Sequence, residues 1–205
     1  MKIHEMEQRS PEWFAVRLGK ITATSFDTMA NGKPATIKEL CRATAAERFF
    51  GCSAERPYVN AAMETGIARE AEARATYEMA AFEHVREVGF VELDEYIGCS
   101  PDGLVGEDGG CEIKCPELKA HSRYYAGDID SKYRWQVQGA LWVTGRKWWD
   151  FVSYLPEAAE PAKRLVVMRV LPDAEAFAKL EAGAAHCRER IAAIVKGFGN
   201  GNIQG

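Results

Sequence analysis

The chain has 205 residues, 47% hydrophobic and 27% charged, typical of a soluble globular protein and ample for one domain spanning residues 1–205. A net charge of −4 excludes a protein that coats nucleic acid with a broad basic face, so any positive potential has to be confined to a groove or channel. There is no cleavable signal pattern and no apolar run long enough to span a bilayer, which predicts a cytoplasmic protein without a membrane partner. Six cysteines without CxxC pairs and four scattered histidines read as reduced thiols and satisfied side chains, not as a metal-ligand cluster.

In chain order, Ser10, Pro11 and Glu12 predict a helix start, with Ser as N-cap and Pro where its missing N–H costs nothing, and Gly19 marks the stop. Trp13, Val16 and Arg17 share one face of that helix. Hydroxyl residues follow just ahead of a second short helix. Thr24 or Ser25 is there either an ordinary cap or, with Arg17, part of an anion pocket favoured by free backbone N–H groups. Residues 31–34 read as a turn and 36–50 as an amphipathic helix closed by Gly51. A helix is expected from Asn60 to about Ala80. Its stripe of Met63, Ile67, Arg74 and Tyr77 also contains Glu70, an odd place for a carboxylate. Glu70 is either the i,i+4 partner of Arg74 or an acid that leans toward a site.

Residues 85–93 alternate as a strand, and 99–116 follow as a hairpin: two short apolar runs around a Gly-rich acidic turn. Alternation sends Glu112 and Lys114 to one face and Cys111, Ile113 and Cys115 to the other, with Asp102 at the start of the first strand. Desolvated charges cost several kcal/mol each even when paired, so this set is a poor structural choice and a good one for a hard divalent cation such as Mg²⁺. A helix over about 131–143 places Gln136 among Tyr133, Val137, Ala140 and Val143, either capping a neighbouring backbone group or standing over the hairpin. Strands are expected at 147–155 and 164–171, then a long helix capped by Asp173 with a seam of Phe177, Leu180, Ala184, Cys187, Ile191 and Ile194. Trp142, Trp148 and Trp149 read as core or subunit contacts, and the tail 197–205 as frayed. Residues 119–130 give no clear signal.

The order Pro101-Asp102, spacer, Glu112-Ile113-Lys114 resembles the PD-(D/E)xK nuclease signature. The likeness extends through 13–24, 66–74, 99–104, 112–116 and 133–144, which together resemble phage lambda exonuclease and its wider, YqaJ-like family of viral recombination nucleases. The resemblance implies an α/β fold, a central mixed β-sheet of about five strands flanked by helices around a restriction-endonuclease-like core. It implies that Asp102 and Glu112 bind Mg²⁺, with Mn²⁺ as substitute, that Lys114 works on the attacking water, and that Glu70 and Gln136 complete the site, Glu70 in a metal shell. Arg17 and Thr24, with Ser25 as competitor, fall where the family grips a 5′ phosphate. Met63 falls near its apolar wedge for the terminal base pair.

The implied activity is a processive 5′-to-3′ double-strand DNA exonuclease of phage or prophage origin. It would act on DNA ends in the bacterial cytoplasm as a homotrimeric ring, alongside a single-strand annealing protein. Two other readings share these residues: an endonuclease of the same fold, which would nick closed circles, and a non-catalytic DNA-end-binding recombination subunit, which would survive Lys114→Ala. The scattered cysteines argue against an iron–sulfur nuclease.

Overall fold

In the computed structural model, which describes residues 1–54 and 61–201 with the side chains of 61–68 excepted, the apolar periodicities resolve into a five-stranded mixed sheet, helices on both its faces, and a separate three-stranded sheet. The three-stranded sheet has the order β1 (Lys2–His4), β3 (Phe90–Glu92), β4 (Gly98–Cys99), all antiparallel. The larger sheet has the order β2 (Val85–Arg86), β5 (Gly103–Val105), β6 (Gly109–Lys114), β7 (Trp148–Tyr154), β8 (Leu165–Val170). Its neighbours are antiparallel except β6 and β7. A parallel pair needs a long crossover, and here the connection carries α5 (Leu118–Tyr125) and α6 (Ser131–Thr144).

Period-2 alternation divides the larger sheet into two packed faces. Leu104, Trp149 and Phe151 meet Phe26 and Met29 of α2 (Phe26–Asn31), Val137 and Leu141 of α6, and Leu180, Ala184 and Ile191 of α7 (Ala174–Gly201). Val105, Cys111, Ile113, Val152 and Tyr154 meet Ala73 and Tyr77 of α4 (Ala61–Ala81) on the other. Both faces of the hairpin are therefore covered, where the pattern alone suggests one ionic and one apolar. Within the sheet, Asp150 is buried between the Tyr77 hydroxyl at 2.7 Å and two Arg169 guanidinium nitrogens at 2.9 Å each. α6 lies very close to α2, because a Cβ on Gly139 would fall 1.9 Å from the Phe26 ring.

Several elements follow their local signals. Ser10 Oγ accepts from the Trp13 N–H at the start of α1 (Pro11–Arg17), and Gly51 ends α3 (Pro34–Phe50) in the left-handed region. Asp173 Oδ1 accepts from the N–H groups of Glu175 and Ala176 at the start of α7. Others differ. The single strand expected over 85–93 is two strands in different sheets, since a Cβ on Gly89 would stand 2.3 Å from Met6 Cγ and the chain can pass beneath the N-terminal segment only as glycine. α5 occupies the stretch that gave no signal, with His121 and Tyr124 buried. α7 continues through Gly201, beyond the expected onset of fraying. Trp149 is fully buried, Trp142 meets Phe26 edge-on, and Trp148 lies under the Arg169 guanidinium at 3.7 Å. All six cysteines are free.

Candidate functional site

The β5–β6 hairpin sets the site's frame. Gly103 pairs with Cys111 and Leu104 with Gly110, so Asp102, one residue before β5, stands level with Glu112 on the same face of the ladder. The Asp102 carboxylate accepts from the Ile113 N–H at 2.6 Å, which fixes it where the ladder ends. Glu112 is 2% exposed. Its Oε1 takes a hydrogen bond from Gln136 Nε2 at 2.6 Å and an ion pair from the Lys114 ammonium. Gln136 reaches it because α6 crosses this face of the sheet, and Lys114 rests 5.2 Å from the Tyr133 ring centroid one turn earlier.

The electrostatics are those of carboxylates crowded in a dry place. Burial, then the Glu112 charge, hold the Asp102 carboxyl well above the ordinary carboxylate range; Lys114 opposes and Glu70 adds to this. For Lys114 burial works toward the neutral amine, but Glu112 and Asp102 outweigh it and keep the ammonium raised above its ordinary value. In this arrangement Lys114 is a charged donor and orients a water better than it deprotonates one.

Glu70 comes from α4 on the other face, yet it lines with Asp102 a cleft of about 240 Å³. Ala71, Arg74, Glu87, Val88 and residues 6–9 form the rest of its wall. Glu70 accepts from Arg74 at 3.4 Å and from Arg9 at 3.2 Å, and Arg74 also pairs with Glu87 at 2.5 Å. Pairing with Arg74 and proximity to the hairpin thus hold together. Met63 and Asn60 lie outside the described residues, the former by its side chain.

A second polar cluster gathers around Ser100, two residues before Asp102 in the chain. The Arg17 guanidinium donates to Ser100 Oγ at 2.7 Å and to Thr22 Oγ1 at 3.5 Å, and stacks 4.0 Å from the Trp13 ring. Trp13 Nε1 itself donates to Ser100 Oγ and to the Gly89 carbonyl. Burial lowers the Arg17 guanidinium to about 10, so it remains a cation in a partly desolvated setting that an anion would relieve. Of the hydroxyls singled out from sequence, Thr24 is exposed and touches this cluster only through Thr22, at 3.4 Å, and no side-chain cap bond is made by Ser25. Thr22 and Ser100 are the hydroxyls on Arg17. Ser100 was legible in principle, since it abuts Pro101-Asp102.

Among the described residues no group of three or more His, Cys, Asp or Glu is gathered closely enough to hold a metal ion. Glu112 is instead held by Lys114 and Gln136, and Glu70 by two arginines. The donor chemistry nonetheless fits a hard divalent cation: Asp102 and Glu112 present level carboxylates, and their mutual repulsion is charge that a cation would relieve.

Fold and cleft together define the class, an α/β protein with an alkaline-exonuclease-like fold and an acidic cleft at the head of its central hairpin. The chain belongs to the YqaJ-like viral recombinase family, whose domain matches residues 12–147. The alkaline exonuclease LHK-Exo from Laribacter hongkongensis is 32% identical. Its complex with dAMP covers 94% of this chain and 98% of its own at a TM-score of 0.84, and a second structure of it covers 93% and 99% at 0.78. A phage-related exonuclease from Haemophilus somnus 129PT, 18% identical, covers 87% and 96% at 0.65, a likeness of fold alone. No curated protein matches the chain.

Proposed function

We propose that this chain is a single-domain, Mg²⁺-dependent, processive 5′-to-3′ double-strand DNA exonuclease. It hydrolyses one strand of linear duplex from a 5′-phosphorylated end and leaves a 3′ single-strand overhang for phage-type homologous recombination. The observation that carries this reading is a pair of clusters: the Asp102–Glu112–Lys114–Gln136 set and, around Ser100 two residues before Asp102, the buried Arg17 guanidinium. The likeness to the alkaline exonuclease LHK-Exo, known also as a complex with dAMP, supports it.

In this reading Asp102 and Glu112 would hold the metal, with Glu70 as a nearby acid of the same cleft. Mg²⁺ held there, or Mn²⁺ in its place, would supply positive charge to the phosphoryl oxygens and lower the pKa of a water. The Lys114 ammonium orients that water, and Gln136 keeps the Glu112 carboxylate aligned by donating to Oε1. Arg17, with Ser100 and Thr22 on its guanidinium and Thr24 and Ser25 beside them, grips the terminal 5′ phosphate and so gives end dependence and polarity. Met63 is the wedge at the terminal base pair. Contacts of this kind address phosphate and not base edges, so cleavage is independent of sequence. A homotrimeric ring would gather positive potential in a channel while the outside stays acidic, and a single-strand annealing protein would receive the overhang, all in the host cytoplasm.

The test is digestion of linear duplex bearing 5′-phosphate or 5′-hydroxyl ends, with Mg²⁺ or chelator, beside covalently closed circles. The expected result is metal-dependent loss of the 5′-phosphorylated strand, slower loss from hydroxyl ends, no preference between ends in Arg17→Ala, and intact circles. Nicked circles, or digestion that persists in chelator, would overturn the proposal.

A further inference from the structure

Arg9 stands at the cleft mouth in a backbone conformation that arginine rarely adopts. Its φ is 69°, in the left-handed region that favours glycine. The segment is strapped down beside it: Gln8 Nε2 donates to the Val88 carbonyl at 3.0 Å and to the Pro101 carbonyl, next to Asp102, at 2.8 Å. With this strap in place, Arg9 lines the same cleft as Glu70 and Asp102.

The remaining cations of the site are committed. Arg74 is shared between Glu70 and Glu87, and Lys114 is taken by Glu112. Among the described residues the Arg9 side chain makes one hydrogen bond, 3.2 Å to Glu70 Oε2, and it is 47% exposed. An ion pair so exposed adds little to stability, so it does not account for a backbone held against its preference. Strain retained at a site mouth points to use of the side chain. A cleft walled by Glu70, Glu87 and Asp102 repels a phosphodiester unless a cation meets it first, and a planar guanidinium with spare donors matches phosphate oxygens.

We infer that Arg9 is a DNA-binding residue: its guanidinium, braced on Glu70 and set by the strained turn, takes a backbone phosphate of the strand entering the cleft. This rests on the nuclease reading above and adds a contact that the Arg17 pocket does not supply.

The test measures binding of fluorescent 5′-phosphorylated duplex by anisotropy across a salt series, with Ca²⁺ replacing Mg²⁺, for wild type, Arg9→Gly and Arg9→Lys, alongside their thermal unfolding. Arg9→Gly should melt no lower than wild type, yet bind about tenfold more weakly, with the slope of log affinity against log salt reduced by about 0.9 as one phosphate contact is lost. Arg9→Lys should recover the slope. Arg9→Gly that binds with wild-type affinity and slope, or a loss that comes with a lower melting temperature and an unchanged slope, overturns the role of Arg9 and leaves the nuclease reading intact. Wild type without affinity for duplex would overturn both.

Discussion

Replacing Lys114 by Met keeps most of the aliphatic stem and removes the charge, which leaves Glu112 at 2% exposure facing Asp102. Stranding one partner of a fully buried ion pair costs about 3–5 kcal/mol. Lys114 is 25% exposed, and the Gln136 hydrogen bond to Glu112 survives, so about 2–3 kcal/mol is expected here. For a chain of this length that is a fall of roughly 5–10 °C in melting temperature. Adding Glu112→Gln to Lys114→Met should recover most of the loss, because the stranded charge is then gone. Mg²⁺ should stabilise the single variant more than wild type, since it supplies the missing positive charge. DNA digestion by the single variant should fall by about 10²–10³-fold, the usual cost of removing one charged donor from a site. The assay is thermal unfolding of wild type and the single and double variants in chelator and in Mg²⁺, with digestion in parallel. A single variant melting within about 1 °C of wild type, or a double variant no more stable than the single, would refute the account of Glu112 and Lys114 as a mutually dependent pair.

Other outcomes follow from the same geometry. Gly139→Ala drives a methyl into the Phe26 ring and should cost about 1–3 kcal/mol, while digestion falls further than stability predicts because α6 carries Gln136 away from Glu112; unchanged digestion in a folded variant would refute this. Phe82 holds φ 55° at 92% exposure, so Phe82→Gly should gain about 1 kcal/mol, read as a rise of roughly 2–4 °C. For Glu92, burial works to raise the carboxyl, but the His4 hydrogen bond and the Lys20 charge together hold it below its ordinary 4.5. Its stabilisation is therefore present above that value and lost as pH falls through the lower folded value. Glu92→Gln should flatten the acid limb of the stability curve, checked by unfolding between pH 3 and 6. Ser100→Ala should weaken the preference for 5′-phosphorylated ends while leaving metal-dependent cleavage of hydroxyl ends, measured by competition between the two substrates.

What could be read from the sequence depended on how local each signal is. The hairpin was legible because alternation and a Gly-rich turn are written within 18 residues of one another, and Gln136 because 3.6-residue spacing exposes a polar intruder on an apolar stripe. The break at Gly89 was not, because it depends on Met6, some 80 positions earlier, lying across the strand. The hydroxyls on Arg17 are ambiguous in the sequence. Thr22, Thr24 and Ser25 all satisfy a capping pattern, and only the turn at Ala23–Ser25 decides that Thr22 faces the guanidinium. Arg9 gave no signal, since a left-handed φ in a non-glycine residue is invisible to pattern and propensity alike.

The parallel pairing of β6 with β7 has a consequence for the order of assembly. Gln136, which steadies Glu112, lies on α6 in the connection between these two strands, and β6 gains its inner neighbour only when residues 148–154 arrive. A growing or truncated chain that stops short of them has its acidic side chains but no roof over them, and an open strand edge ready to stick to other chains. Such a fragment should therefore lack the paired sheet on which Asp102 and Glu112 stand level, and competence should wait until at least three-quarters of the chain, through residue 154, is present.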